Sequence, residues 1–327
     1  MALAGCTVPE PPGKAPLRYR DAVFANTTVT SNLQYGSAPD NNGSPVALML
    51  DLYQPAGDAV AARPAVVWVH GGGYCCGDKA SGASADLAQK FAHLGYVTVS
   101  INYRLLAPNG CSAGSGSVSS TCTVAAIAAE HDAQAAVRWL RANAAQYRID
   151  TNRIGIGGDS AGAITATLVG LDPQDPGDSG NPGYPSTVGA FMSLSGGSPG
   201  AAFASAGDAP GLLFSGTADP IVPYVWSAQT AGALLNDAVP AFLESFDGAG
   251  HDPYIQFENQ IDTQSDYFFY TFLGVAHAQG SPASAARAFT REAARMQKRY
   301  PRFARAMART LTRQHRTSGW RGAAGAH

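Results

Sequence analysis

Two short segments of the chain carry residue types and spacings suited to attack on a carbonyl carbon. Gly158-Asp159-Ser160-Ala161-Gly162 follows an apolar run and opens a helical one, the context that a Gly-x-Ser-x-Gly nucleophile requires. On so tight a turn the Ser160 hydroxyl stands clear of the sheet, and only small residues at 158 and 162 avoid collision across it. The Ala161 N–H then lies at a helix N-terminus, where a donor can meet developing negative charge. Alone, the pentapeptide would equally suit a glycine-rich turn with an N-capping serine. The second segment, His70-Gly71-Gly72-Gly73-Tyr74, directly follows the apolar run 65–69. Consecutive glycines let backbone N–H groups approach a substrate without side-chain interference, as an oxyanion hole demands. Gly72 and Gly73 are the expected donors, with Ala161 as a third. His70 is read as structural, holding the loop by hydrogen bonds. A phosphate-binding loop is disfavoured because no Gly-Lys-Ser/Thr follows the glycines.

The elements that must hold these residues alternate in type. Residues 22–54 alternate apolar and polar around Asn41-Asn42-Gly43, reading as antiparallel strands that end in 46–53. The runs 65–69, 97–101, 154–157, 191–194, 212–214 and 241–246 are short and apolar, as buried parallel strands are. Helical patterns lie between them at 83–94, 124–147, 160–171, 224–235 and 253–273. The expected class is α/β, with a mostly parallel central sheet, an antiparallel N-terminal edge and helices on both faces. Long Gly-, Pro- and Asp-rich connections interrupt it at 107–123 and 172–186. Three regions are expected: a disordered N-terminal tether over 1–20, a catalytic domain over 21–282, and a basic helical extension over 283–327.

Taken together, His70-Gly-Gly-Gly-Tyr74, Asn102-Tyr103-Arg104-Leu105 and Gly158-Asp-Ser-Ala-Gly162 resemble the α/β-hydrolase carboxylesterases, in particular the hormone-sensitive-lipase-like and related bacterial esterases. The stretch from Asp132 to Gly162 is also similar to theirs. The resemblance implies an α/β-hydrolase fold and a catalytic order of serine, acid, histidine. Gly216-Thr217-Ala218-Asp219-Pro220 resembles that family's acid loop, and Gly248-Ala249-Gly250-His251-Asp252 its histidine loop. Each follows a strand's carboxyl end, where α/β sheets place their sites. The expected triad is therefore Ser160, Asp219 and His251, with Asp252 as the rival acid. The implied reaction is hydrolysis of small or short-acyl esters through an acyl-enzyme, needing no metal or organic cofactor. An amidase or peptidase on the same fold, and a non-catalytic binding protein, are the alternatives. The Cys75-Cys76 pair, the Ser/Gly insertion at 112–121 and the basic tail depart from the family's pattern.

The remaining expectations concern surroundings. Tyr74, Tyr103, Trp226 and Tyr254 are candidates to line the substrate pocket, with core packing as the alternative for each. Cys111 and Cys122 flank the Ser/Gly-rich stretch, where a disulfide would limit unfolded-state entropy. Free thiols in a cytoplasmic enzyme are the alternative. Leu3-Ala4-Gly5-Cys6 resembles a bacterial lipobox, so the expectation is an exported, cell-surface lipoprotein held to the membrane through lipidated Cys6. No run of about 18 apolar residues is present to span a membrane as a helix. Eleven of the 22 basic residues and one of the 24 acidic ones lie between Arg287 and Arg321, so an acidic body precedes a basic tail. No nucleic-acid motif accompanies that charge, and no nucleic-acid partner is expected. The oligomeric state is not legible in the sequence.

Overall fold

In the computed structural model, residues 7–112, 118–171, 176–198 and 204–273 are described. The antiparallel start is a long hairpin, β1 (Thr27–Pro39) and β2 (Pro45–Pro55). Its turn is the predicted Asp40-Asn-Asn-Gly-Ser sequence. Asp40 Oδ1 accepts the N–H groups of Asn42 and Ser44 at 2.8 Å, and Gly43 supplies a φ of 81°. Then come β3 (Arg63–Val69), α1 (Gly82–Leu94), β4 (Val97–Ile101), α2 (Ser120–Ala142), α3 (Ala144–Tyr147), β5 (Ile149–Asp159) and α4 (Ala161–Leu171). The chain continues through β6 (Phe191–Leu194), β7 (Gly211–Gly216), α5 (Tyr224–Asn236), β8 (Ala241–Phe246) and α6 (Tyr254–Phe272). The predicted helix over 124–147 starts earlier and is divided at Asn143. Ser119 caps the start by accepting the Cys122 N–H at 3.2 Å. Asn143 turns its side chain back onto Trp139 O at 2.9 Å and closes the longer helix.

The strands form one eight-stranded sheet in the order β1-β2-β4-β3-β5-β6-β7-β8. β1 and β2 run antiparallel to their neighbours, and β4 to β8 pair in parallel. The expected mostly parallel sheet with an antiparallel N-terminal edge is what forms. α1 and α6 pack together on one face, and α2 and α4 on the other. Every residue of β3 is buried, as a strand covered on both sides must be. In β5 the Ile-Gly-Ile-Gly alternation has a packing cause. A Cβ on Gly157 would stand 2.5 Å from the Trp68 ring, and one on Gly155 would stand 2.7 Å from Phe269. Trp68, Phe91 and Phe269 fill that space edge to face, with centroids 5.1–5.9 Å apart. The order reverses at β3: its first crossover leads to β4 on one side, and β5 lies on the other. This switch point opens a crevice at the carboxyl ends of β3 and β5, directly where His70-Gly-Gly-Gly and Ser160 begin.

One boundary is corrected. Residues 8–20 are not a free tether. Val8 is buried and donates its N–H to Gln264 Oε1 at 2.5 Å. Tyr19 N bonds to Leu94 O at 2.8 Å, and Arg20 is buried beside Asp21. The aromatic and guanidinium groups at 18–20 gain cover against α1 that the Pro-rich composition did not advertise. Leu3–Cys6 and the extension over 283–327 lie outside the described residues.

Candidate active site

Ser160 occupies the one-residue bend between β5 and α4, at a φ of 53°. That left-handed conformation is strained for a residue with a Cβ. It is held by Ser160 N donating to Leu194 O at 2.8 Å and by Ile164 N donating to Ser160 O at 3.0 Å. Close packing explains the flanking glycines. A Cβ on Gly158 would lie 2.5 Å from the Gly162 carbonyl carbon, and one on Gly162 only 2.0 Å from Val69 O.

The acid and histidine loops leave β7 and β8 side by side and are fastened to each other. Ala218 N donates to Ala249 O at 3.0 Å, and Gly248 N to Thr217 Oγ1 at 2.8 Å. His251 thereby reaches both partners. Its Nε2 is 2.8 Å from Ser160 Oγ and its Nδ1 is 2.8 Å from Asp219 Oδ2. The Asp219 side chain is fully buried. Its other oxygen accepts the N–H groups of Ile221 and Val222 at 2.8 and 3.0 Å. Three donors thus converge on one carboxylate, which fixes the histidine ring. Asp252, the rival acid, is exposed at the loop surface.

The glycine loop is held from behind. His70 is buried, with Nδ1 2.6 Å from Gly71 O and its ring stacked on Tyr103 at 4.5 Å. Burial depresses its pKa, so it stays neutral. Gly72 accepts a φ of 111° and Gly73 one of 60°; a Cβ on Gly72 would strike Cys76 O at 2.0 Å. In a trans peptide the C=O and N–H point in opposite directions. Gly71 O is taken by His70, so Gly72 N–H faces away from it. Gly72 O is taken by the N–H groups of Cys75 and Cys76 at 3.1 and 3.2 Å, so Gly73 N–H likewise faces away. Gly73 O and Tyr74 O are held in turn by Cys111 N and Ala107 N, both at 3.0 Å. The N–H groups of Gly72, Gly73 and Ala161 have no acceptor among the described residues.

Asp159, the variable position of the pentapeptide, proves to join the two segments. Its Oδ2 accepts the Gly71 N–H at 3.0 Å, and its Oδ1 lies 2.6 Å from Ser84 Oγ. Ser84 Oγ is also 2.8 Å from Val69 O, which can only accept. One hydroxyl proton cannot serve both contacts. Both are satisfied when Asp159 is protonated and donates to Ser84, which donates to Val69 O. Burial raises the Asp159 pKa in the same direction.

The aromatic candidates divide. Tyr74 is buried and donates its hydroxyl to Ala161 O at 2.9 Å, a strut between the glycine loop and α4. Tyr103 is buried and donates to His70 O at 2.9 Å. Tyr254 bonds to Asp86 at 2.5 Å and meets Lys90 at 3.0 Å, between α1 and α6. A tyrosine with a buried ring must satisfy its hydroxyl, and these three do so on the framework. Trp226 packs with Val222 of the acid loop and Ile164 of α4, one turn after Ser160, and so stays beside the site. Cys111 and Cys122 form the expected disulfide, with Cα atoms 5.7 Å apart. Among the described residues no group of three or more His, Cys, Asp or Glu could hold a metal ion.

Comparison with known proteins bears on the family and the fold. Residues 50–181 match the BD-FAE family of α/β-hydrolase esterases. The chain is 34% identical over 162 residues to phenmedipham hydrolase of Pseudarthrobacter oxydans, covering 47% of this chain and 30% of that protein. It is 32% identical over 148 residues to the esterase LipQ of Mycobacterium tuberculosis, covering 45% and 30%. The matched region thus spans under a third of the length of these curated relatives. Among solved structures, a truncated carbohydrate esterase from gut microbiota superposes with a TM-score of 0.61 at 22% identity, covering 77% of this chain and 98% of that one. Thermogutta terrifontis esterase 2 phosphorylated by paraoxon gives 0.57 at 25% identity, covering 79% and 98%. The fold is the α/β-hydrolase fold.

Proposed function

We propose that this α/β-hydrolase, akin to the BD-FAE esterases, is a serine carboxylic-ester hydrolase acting on small or short-acyl esters. The reading rests on one observation: a hydroxyl on a strained bend, an imidazole 2.8 Å from it, and a buried carboxylate 2.8 Å beyond. His251 Nε2 takes the Ser160 proton as Oγ attacks the acyl carbon. Asp219 keeps Nδ1 protonated and stabilises the imidazolium that forms. The N–H groups of Gly72, Gly73 and Ala161, which have no acceptor among the described residues, bind the oxyanion. The imidazolium then gives its proton to the leaving alkoxide. Water, deprotonated by His251, releases the acid and restores the serine. Trp226, Val222 and Ile164 form an apolar wall for the substrate. The Thermogutta terrifontis esterase of the same fold has been solved with propionate and with butyrate bound, which makes short acyl groups the first to assay.

Export is part of the proposal. A disulfide such as Cys111–Cys122 belongs with an oxidising compartment. No helix among the described residues is long and apolar enough to cross a membrane; the attachment proposed is through lipidated Cys6, in the lipobox-like Leu3-Ala4-Gly5-Cys6. The chemical reading is tested with a fluorophosphonate probe and a series of nitrophenyl esters. The expected result is labelling of the folded protein and turnover highest on short acyl chains, both lost in Ser160→Ala. A folded protein that neither labels nor turns over would identify a binding protein. Turnover of anilides in preference to esters would identify an amidase.

A further inference from the structure

Two thiols stand directly behind the glycine loop, and the hydrolytic steps use neither. Cys75 and Cys76 are adjacent and in no disulfide; Cys76 is exposed and Cys75 partly so. Both sulfurs donate to one acceptor, Gly72 O, at 3.2 and 3.3 Å. Both sulfurs thus converge on a single carbonyl oxygen. Gly72 O therefore collects four donors from two residues, and the peptide it belongs to carries the Gly73 N–H.

We propose that Cys75 and Cys76 form a dithiol capture site for a trivalent arsenical, and that filling it slows ester turnover through the Gly72–Gly73 peptide. The second half rests on the ester-hydrolase reading; the first does not. A single centre bonded to two sulfurs at about 2.3 Å holds them roughly 3.5–4 Å apart, a separation open to two thiols that lie 3.2 and 3.3 Å from the same oxygen. Zinc would ask for four ligands, and no group of three or more candidate ligands exists among the described residues. An arsenical with one organic substituent asks for two. Its two As–OH groups exchange for two As–S bonds; each S–H proton leaves with a hydroxyl as water, and no oxidation state changes. Both S–H donors to Gly72 O are then gone, and only the two N–H groups still hold that carbonyl. The Gly73 N–H becomes a less fixed donor, a loss expressed in the transition state rather than in substrate binding.

The full chain, treated with phenylarsine oxide, is read by intact mass and by nitrophenyl-ester kinetics on the same sample. One adduct per chain is expected, released by a dithiol but not by a monothiol at equal thiol concentration. With it, kcat falls about tenfold while KM moves little. In Cys75→Ser and Cys76→Ser, whose hydroxyls still supply a donor to Gly72 O, both the adduct and the sensitivity disappear. No adduct, or an adduct that persists in both serine variants, overturns the site. An adduct with unaltered kcat, or with a rise in KM alone, overturns the coupling. Should the untreated protein turn over no ester, the hydrolase reading has failed, and the mass measurement still decides the site.

Discussion

At the scale of single residues, the site depends on where protons are held. Asp219 accepts from an imidazole and two backbone amides while its side chain is buried. Asp219→Asn preserves the shape but imposes the wrong tautomer on His251. Ester kcat should fall by about 10⁴ with the fold intact by circular dichroism; activity near wild type would assign the acid's role elsewhere. Asp159 is the opposite case, a carboxyl whose pKa burial raises, set between Gly71 N–H and the Ser84 hydroxyl. A carboxyl whose folded pKa is raised contributes stability below its unfolded pKa and loses it as pH rises through the folded value. Asp159→Asn reproduces the donor to Ser84 and the acceptor for Gly71 N without the titration. Its stability should match the wild type in mild acid and exceed it toward neutral pH, measured by urea denaturation across that range. Asp159→Ala leaves the Gly71 N–H unpaired, while Ser84 keeps its bond to Val69 O, and should cost about 1–3 kcal/mol. A carboxyl at the x position of Gly-x-Ser-x-Gly was plain in the sequence. Its partners were not, because Gly71 and Ser84 are 88 and 75 positions away.

At the scale of elements, the motif Asn102-Tyr103-Arg104 illustrates how the framework is made rigid. Arg104 meets Asp132 of α2 with Nε at 2.9–3.0 Å and Nη2 at 2.8 Å, both side chains buried, and Ser179 adds a bond to the same carboxylate. This pair ties the end of β4 to the helix on the α2/α4 face, and Tyr103 ties the same loop to His70. Removing one partner of a buried pair strands the other's charge. Arg104→Ala should lose about 3–5 kcal/mol in chemical denaturation; a loss under 1 kcal/mol would mean that water or a neighbour replaces the guanidinium. The strands and helices themselves were readable from sequence pattern, since each buried strand run is short and the helical runs between them are longer. The packing of residues 8–20 was not. Proline-rich composition describes a chain's freedom when unsupported, and here Leu94, Gln264 and neighbours supply the support.

At the scale of the whole molecule, all that the chemistry requires lies between β3 and the loop after β8. The basic extension follows α6, on the far side of the sequence from every proposed catalytic group. A chain ended after residue 282 should therefore keep the kcat/KM of the full chain on a soluble short-acyl ester, checked by steady-state kinetics on both. A loss of tenfold or more would mean that the extension takes part in the site.

The sequence by itself determined the order of elements, the serine bend and the glycine loop, because these are local: period, turn chemistry and adjacent residues decide them. It also carried candidates for the acid and the base, through their position after strands. Tertiary structure alone decided which residues meet. It tied the hydroxyls of Tyr74, Tyr103 and Tyr254 to the framework, joined Asp159 to the glycine loop, and set two thiols on Gly72 O. The physical reason is that a side chain's role is set by what lies within about 3 Å of it, and in a parallel sheet those neighbours arrive from strands tens of residues apart.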